Sequence, residues 1–204
     1  MELRVFSVKE LLLTLRTTEV SPRNTEKSYN VFRGNMNVQE ALLNRRSIRK
    51  YKNQKISKEE LDKILKAAVY APSAMNLQPW QFIVIDDKEV LIETIKSIPH
   101  AEMLKQSAAA ILVCGDVNVE KNESWLLQNC SAVTQNILLS AYGLGIGSCW
   151  IGIQGMDDIV RNIKFQFGLP DNIIPVSLVS LGYPDEEVKA EERFKKGKIR
   201  YNKW

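Results

Sequence analysis

The chain has 204 residues, 45% of them hydrophobic, and a formal net charge of +4, which suffices for one domain with its own core. Acids and bases are mixed nearly everywhere, so the mild positive charge does not make the basic stripe of a nucleic-acid reader. Three cysteines (Cys114, Cys130, Cys149) and the single histidine His100 stand at no metal-ligand spacing; the odd thiols suggest a reducing, cytoplasmic setting, and no apolar run approaches a membrane span.

Residues 1–35 read differently from the rest. "SPRNTEKSYNVFRGN" is polar and turn-rich, and "LLLTL" is too short for a secretory signal, with Glu10 before it and no cleavage site after it. The folded domain is therefore expected over 36–204, with residues 1–35 either an extra N-terminal arm or a start assigned upstream of Met36. In "MNVQEALLNRR", Val38, Ala41 and Leu42 fall on one helical face. "SKEELDKILKAAVYAPS" opens with a Ser57–Glu60 capping box, buries Leu61, Ile64, Leu65 and Ala68, and stops at Pro72. "WQFIVIDD" is a strand and "KEVLIETIKSI" a short amphipathic helix. "AAAILVCGD" is apolar throughout, the pattern of a strand covered on both faces. "SWLLQNCSAVTQNILLSAYGLG" is apolar nearly all round, which marks a central helix ended by Gly143 or Gly145. "GSCWIGI" is a strand, "MDDIVRNIKFQFGLP" a helix with acids in its first turn, and "IIPVSLVSLGYP" a strand. The charged tail carries Phe194, Ile199, Tyr201 and Trp204, which are expected to dock on something such as a partner subunit. Helices and strands interleave, so the class is a helix-covered sheet, α/β or α+β.

Several chemistries lack their residues. A metal site has no ligand cluster, and a Ser-His-Asp hydrolase has neither a G-x-S-x-G elbow nor any imidazole but His100. "GLGIGSCWIG" follows a helix and enters a strand, the reverse of a dinucleotide fingerprint, and no G-K-[ST] loop exists. Two stretches remain. "NRRSIRKY" crowds Arg45, Arg46, Arg49 and Lys50 around Ser47, a set suited to phosphate oxygens; read alone, it also fits a solvated basic helix end. "APSAMNLQPW" is a rigid, amide-rich connector between a helix and a strand, where sites form and where plain turns also sit.

Taken together, these stretches resemble the nitroreductase family of flavin enzymes. "RRSIR" opens the family's domain, "APSAMNLQPWQFIVI" matches its second motif, "QNCSAVTQNILLSAYGLGIGSCWIG" its long helix and following strand, and "SLVSLGYPDEE" with Arg193 its closing segment. The resemblance covers 36–204. It implies an α+β fold, a three-layer α/β/α sandwich whose central sheet is mainly antiparallel, in a homodimer with non-covalent FMN at the interface. On these positions it implies Arg45, Arg46 and Ser47 on the FMN phosphate and ribityl chain, Arg193 as a second phosphate partner with Lys189 a lesser one, and Arg49 at the pyrimidine edge. Pro72, Ser73, Ala74, Asn76 and Gln78 would line ring and ribityl, partly from the other subunit. Cys149, Trp150, Ile151 and Gly152 would run beside the ring, with a backbone N–H at Ile151 or Gly152 facing flavin N5.

The implied activity is hydride transfer from NADH or NADPH to flavin N5, then reduction of a nitroaromatic or quinone-like acceptor in ping-pong fashion. No catalytic side chain is assigned, because the flavin carries the chemistry. Cys149 is expected to be a packing residue, as are Trp125 and Trp150, and His100 a surface residue. The family often has Asp where this chain has Asn129. The same fold also supports reductive dehalogenation, flavin destruction, dehydrogenation or non-catalytic flavin binding. The expected partners are a second copy of the chain and a small-molecule acceptor, with neither nucleic acid nor membrane.

Overall fold

In the computed structural model, which describes residues 37–204, the elements follow the order read from the sequence. Residues 1–35 and the expectation attached to them lie outside the described residues. Helix α1 spans Val38–Asn44 and is capped by Asn37, whose side chain accepts from Glu40 N at 2.8 Å. Helix α2, Lys58–Ala68, begins with the Ser57–Glu60 capping box in full. Strand β1, Trp80–Ile85, leads to α3, Lys88–Ser97, capped by Asp87. After β2, Ala109–Asp116, comes the long helix α4, Glu123–Gly143. Strand β3, Gly147–Gly152, helix α5, Asp157–Phe167, and strand β4, Ile173–Gly182, complete the fold. Helix α4 stops at the first of its two candidate glycines, and Gly145 takes up the left-handed turn at φ 75°.

The sheet order is β1-β2-β4-β3, and every neighbouring pair is antiparallel. This decides the class between the two left open by pattern alone: the fold is α+β. Strand alternation divides β2 between two cores. Ala109, Ile111 and Val113 face α2 and α4, together with Ile64, Cys130, Val133 and Ile137. Ala110, Leu112 and Cys114 face α3 and α5, together with Leu91 and Ile163. Helices on both faces of a two-sided sheet make the three layers. At ~1.5–3 kcal/mol for each large side chain, the two cores supply most of the folding drive.

Two ends of the chain behave differently. The expected buried face of α1 is only partly covered. Ala41 is buried, but Val38 and Leu42 are 72% and 47% exposed, because its sustained neighbour among the described elements is α4 alone. Phe194, Ile199, Tyr201 and Trp204 are all exposed, Ile199 the least of them, and Arg200 lies over the Trp204 ring at 5.5 Å.

Segment 47–52 lies against the end of the sheet where β3 begins and β4 ends. Ile48 N donates to Ser148 O at 2.9 Å, Lys52 N to Tyr183 O at 2.8 Å, and Tyr51 bridges Pro184. Two glycines permit this approach. A Cβ on Gly147 would stand 2.9 Å from Ile48 Cγ2, and one on Gly182 would stand 2.7 Å from the Tyr51 ring. Tyr51 is itself buried and cannot move aside. Gly182→Ala is therefore expected to destabilise the protein by about 1–3 kcal/mol through overpacking; thermal unfolding will measure it, and an unchanged Tm would refute the close approach.

Candidate functional site

Four arginines meet beside β3. Burial pushes the Arg45 guanidinium below its ordinary pKa, and the nearby Arg193 and Arg46 push it further. The tail thus brings Arg193 to the cluster, as the sequence suggested. Arg49 and Arg45 both lie close enough to bias the Cys149 thiol. Among the described residues, these guanidiniums make no ion pair; the two ion pairs there, Lys105–Glu102 and Arg161–Asp158, are elsewhere. Arg46 spends Nη1 on Leu43 O at 2.9 Å and Arg45 O at 2.7 Å, while its buried Nε has no partner. Crowded cations that form no ion pair repel one another, so an anion that enters is strongly favoured. Forked guanidinium donors suit a phosphate.

The backbone under the cluster is held on three sides. Ser47 pairs with Ser148 of β3. The Tyr51 hydroxyl donates to Ile48 O at 2.6 Å and shares a 2.8 Å hydrogen bond with Ser180 Oγ. Glu186 accepts from Arg49 N at 2.5 Å and Lys50 N at 3.1 Å. Tyr51 and Glu186 were not singled out from sequence. Their contacts are tertiary, and only the quoted "GYPDEE" placed Glu186 near the closing motif.

The second stretch forms a strained loop. Met75, Asn76 and Gln78 have φ of 50°, 57° and 51°, a region that costs non-glycine residues ~1–2 kcal/mol each. Compensation comes from Gln78 N to Ser73 Oγ at 3.0 Å, Gln78 Nε2 to Asn76 Oδ1 at 2.9 Å, and Ala74 N to Asn129 Oδ1 at 3.0 Å. Asn129 therefore does from α4 what any side-chain acceptor there could do: it grips the loop, so the departure from Asp keeps this bond. The loop faces outward, with Pro72, Asn76 and Gln78 exposed. Strained non-glycine residues of this kind cluster at functional sites.

These two stretches do not come together within one chain. Asn129 anchors the loop toward the start of α4. Arg46 instead lies near Tyr142 at the far end of that helix. Thirteen residues of helix separate the two positions, ~20 Å along its axis.

Strand β3 connects both ends. It is an edge strand, and Ser148 O faces outward to Ile48 N. Alternation then turns the N–H of Trp150 and Gly152 to the open edge, and that of Ile151 toward β4. Of the two donors expected, Gly152 is the one that faces out, with open space where a Cβ would be. Cys149 is 2% exposed, in keeping with a packing role. Trp125 and Trp150, expected to pack rather than stack on a ligand, are each partly exposed within the single chain. His100 is on the surface, in a turn.

Comparison with known proteins gives a consistent picture. The Nitroreductase family matches residues 42–118 and 99–183. A protein of Archaeoglobus fulgidus named "Putative NADH dehydrogenase/NAD(P)H nitroreductase" is 44% identical over 168 residues, covering 80% of this chain and 96% of that protein. An NADH dehydrogenase of Thermus thermophilus is 30% identical over 188 residues, covering 74% of this chain and 89% of its own length. The solved structure of an FMN-dependent nitroreductase from Clostridium difficile superposes with a TM-score of 0.75 at 38% identity, covering 80% of this chain and 98% of that one.

Thiol reactivity tests the environment of β3. Burial pushes the Cys149 thiol up, against the opposing pull of Arg49, the Ser47 hydrogen bond and Arg45. Cys114 and Cys130 are pushed up to about 12, chiefly by burial. A raised pKa keeps the unreactive thiol form at pH 8. Native protein is therefore expected to show no fast thiol toward a disulfide reagent at pH 8, and all three after denaturation; a fast native thiol would refute this account of Cys149.

Proposed function

Because this chain belongs to the nitroreductase family, we propose that it is an NAD(P)H-dependent flavin oxidoreductase. It holds FMN without a covalent bond and reduces small acceptors such as nitroaromatics or quinones, in ping-pong order. The observation that carries the reading is the cluster of Arg45, Arg46, Arg49 and Arg193, whose guanidiniums form no ion pair among the described residues. A phosphate-bearing cofactor fits it: two negative charges are offered to forked donors, and the buried Arg46 Nε is left open for a partner.

FMN held there would supply hydride-accepting redox chemistry, which no side chain of this site offers. The protein's contribution is placement and charge. Arg45, Arg46, Arg193 and the Ser47 hydroxyl anchor the phosphate end. Arg49 sets a fixed cation near the pyrimidine edge, where negative charge grows on reduction. Gly152 presents an outward N–H at a position with no side chain of its own to block approach. The buried Cys149 thiol and the surface imidazole of His100 take no proton-transfer role in this reading.

The pocket is completed by a second copy of the chain. Support comes from the distance along α4: one chain alone leaves the strained Pro72–Gln78 loop about 20 Å from its cations. The exposed faces of α1 and of the tail, with Phe194, Tyr201 and Trp204, are of the apolar kind that such an interface buries.

Three measurements test this reading. Purified protein is expected to show a flavin absorption band that bleaches on anaerobic addition of NADH or NADPH and returns with menadione; protein that takes up no FMN would refute it. Arg45→Ala with Arg46→Ala is expected to weaken FMN binding about 100-fold or more, two charge-assisted contacts being lost. The apo form of that variant should melt no lower than native apo protein, because repulsion is relieved. Light scattering of the holoprotein is expected to give about twice the 23.3 kDa chain mass; a monomer that still binds FMN would refute the shared pocket.

A further inference from the structure

One carboxylate sits among the cations and does not neutralise them. Glu186 is close enough to Cys149 and Tyr51 to bias both groups, yet it forms no ion pair with Arg49 or Arg45. Its Oε1 instead accepts from two successive backbone donors, Arg49 N at 2.5 Å and Lys50 N at 3.1 Å. Around it the two segments are tied further. Asp185 N donates to Lys50 O at 3.0 Å, and Lys52 N to Tyr183 O at 2.8 Å. The Arg49 side chain has no hydrogen bond or ion pair to any described residue, so the backbone from which it projects is its main fixed constraint. Glu186 lies just past the family-matched residues, which end at 183.

We propose that Glu186 is a positioning residue: by capping the Arg49 and Lys50 amides it aims the otherwise untethered Arg49 guanidinium at the bound flavin. A carboxylate accepting two N–H groups holds a backbone more firmly than a neutral acceptor does, and a misaimed cation loses most of its effect within a short distance. The inference rests on the FMN reading above. It differs from a simple charge effect, in which Glu186 would oppose the cofactor's anion. Under that effect, any removal of its charge would tighten FMN binding.

The test titrates apo protein with FMN and follows quenching of flavin fluorescence, for native chain, Glu186→Ala, Glu186→Gln, Arg49→Ala and the Glu186→Ala/Arg49→Ala double variant. The expected result is about tenfold weaker binding for Glu186→Ala, the scale of one lost charge-assisted contact. Glu186→Gln keeps an accepting oxygen and should return to within about threefold of native. In the Arg49→Ala background, Glu186→Ala should add nothing further, since the group it aims is gone. Tighter binding by both Glu186 variants, native affinity for Glu186→Ala, or an equal loss in both backgrounds would each overturn the proposal. A native chain that quenches no FMN would overturn the cofactor reading and this inference with it, whereas native binding with an unaffected Glu186→Ala would overturn the inference alone.

Discussion

Holding like charges together is the constraint on which the rest of this structure depends. Each pair of neighbouring guanidiniums costs of order a few kcal/mol at intermediate dielectric, and among the described residues no ion pair to these side chains relieves it. Arg45–Lys50 can be kept in place only by their backbone. That backbone is fixed where it crosses the end of the sheet: Ile48 on Ser148, Tyr51 buried against Gly182 and Ser180, and Glu186 on the amides of Arg49 and Lys50. The two-faced core behind this seam provides the stability from which the repulsion is drawn. Sites of this kind are preorganised, and the ligand meets charges that need no further ordering.

A second store of energy lies at the other end of α4. Three non-glycine residues in left-handed conformations, Met75, Asn76 and Gln78, are kept there by internal hydrogen bonds and by Asn129. Helix α4 is thus the spacer of the molecule. It is long, buried against both β2 and α2, and rigid, and it holds an amide-bearing loop and a cation cluster apart at a fixed distance. In the proposed pocket the loop of one chain meets the cations of the other.

Strand β3 gives the site its character. As an edge strand it turns backbone groups outward, Ser148 meeting Ile48, and at Gly152 no Cβ stands beside them. Its thiol is buried and held protonated, and its neighbours Ser148 and Ile151 are packed inward. The surroundings are rich in fixed charge and backbone donors and poor in groups that exchange protons near neutrality. Such a site leaves the reactive chemistry to a cofactor and supplies orientation and potential.

Much of this was legible in the sequence. The capping box at Ser57, the apolar run of β2, the all-round apolar helix α4 and the cation cluster are local patterns, and local patterns depend on spacing along the chain. The resemblance to nitroreductases rests on four such patterns in order. Other features had no local signal. That the sheet is antiparallel in the order β1-β2-β4-β3 follows from which strands find one another, not from the composition of any strand. The exposure of Val38 and Leu42 follows from how little of α1 the chain itself covers. The roles of Tyr51, Glu186 and Asn129 follow from contacts between residues 55 to 137 positions apart. The amino-acid sequence alone determined where helices and strands form and which charges would be crowded, because those are set by neighbours three or four residues away. Only the tertiary structure decided which N–H of β3 faces out, what holds Arg49, and that the two motifs of the site stand at opposite ends of one helix, because those are set by packing between segments remote along the chain.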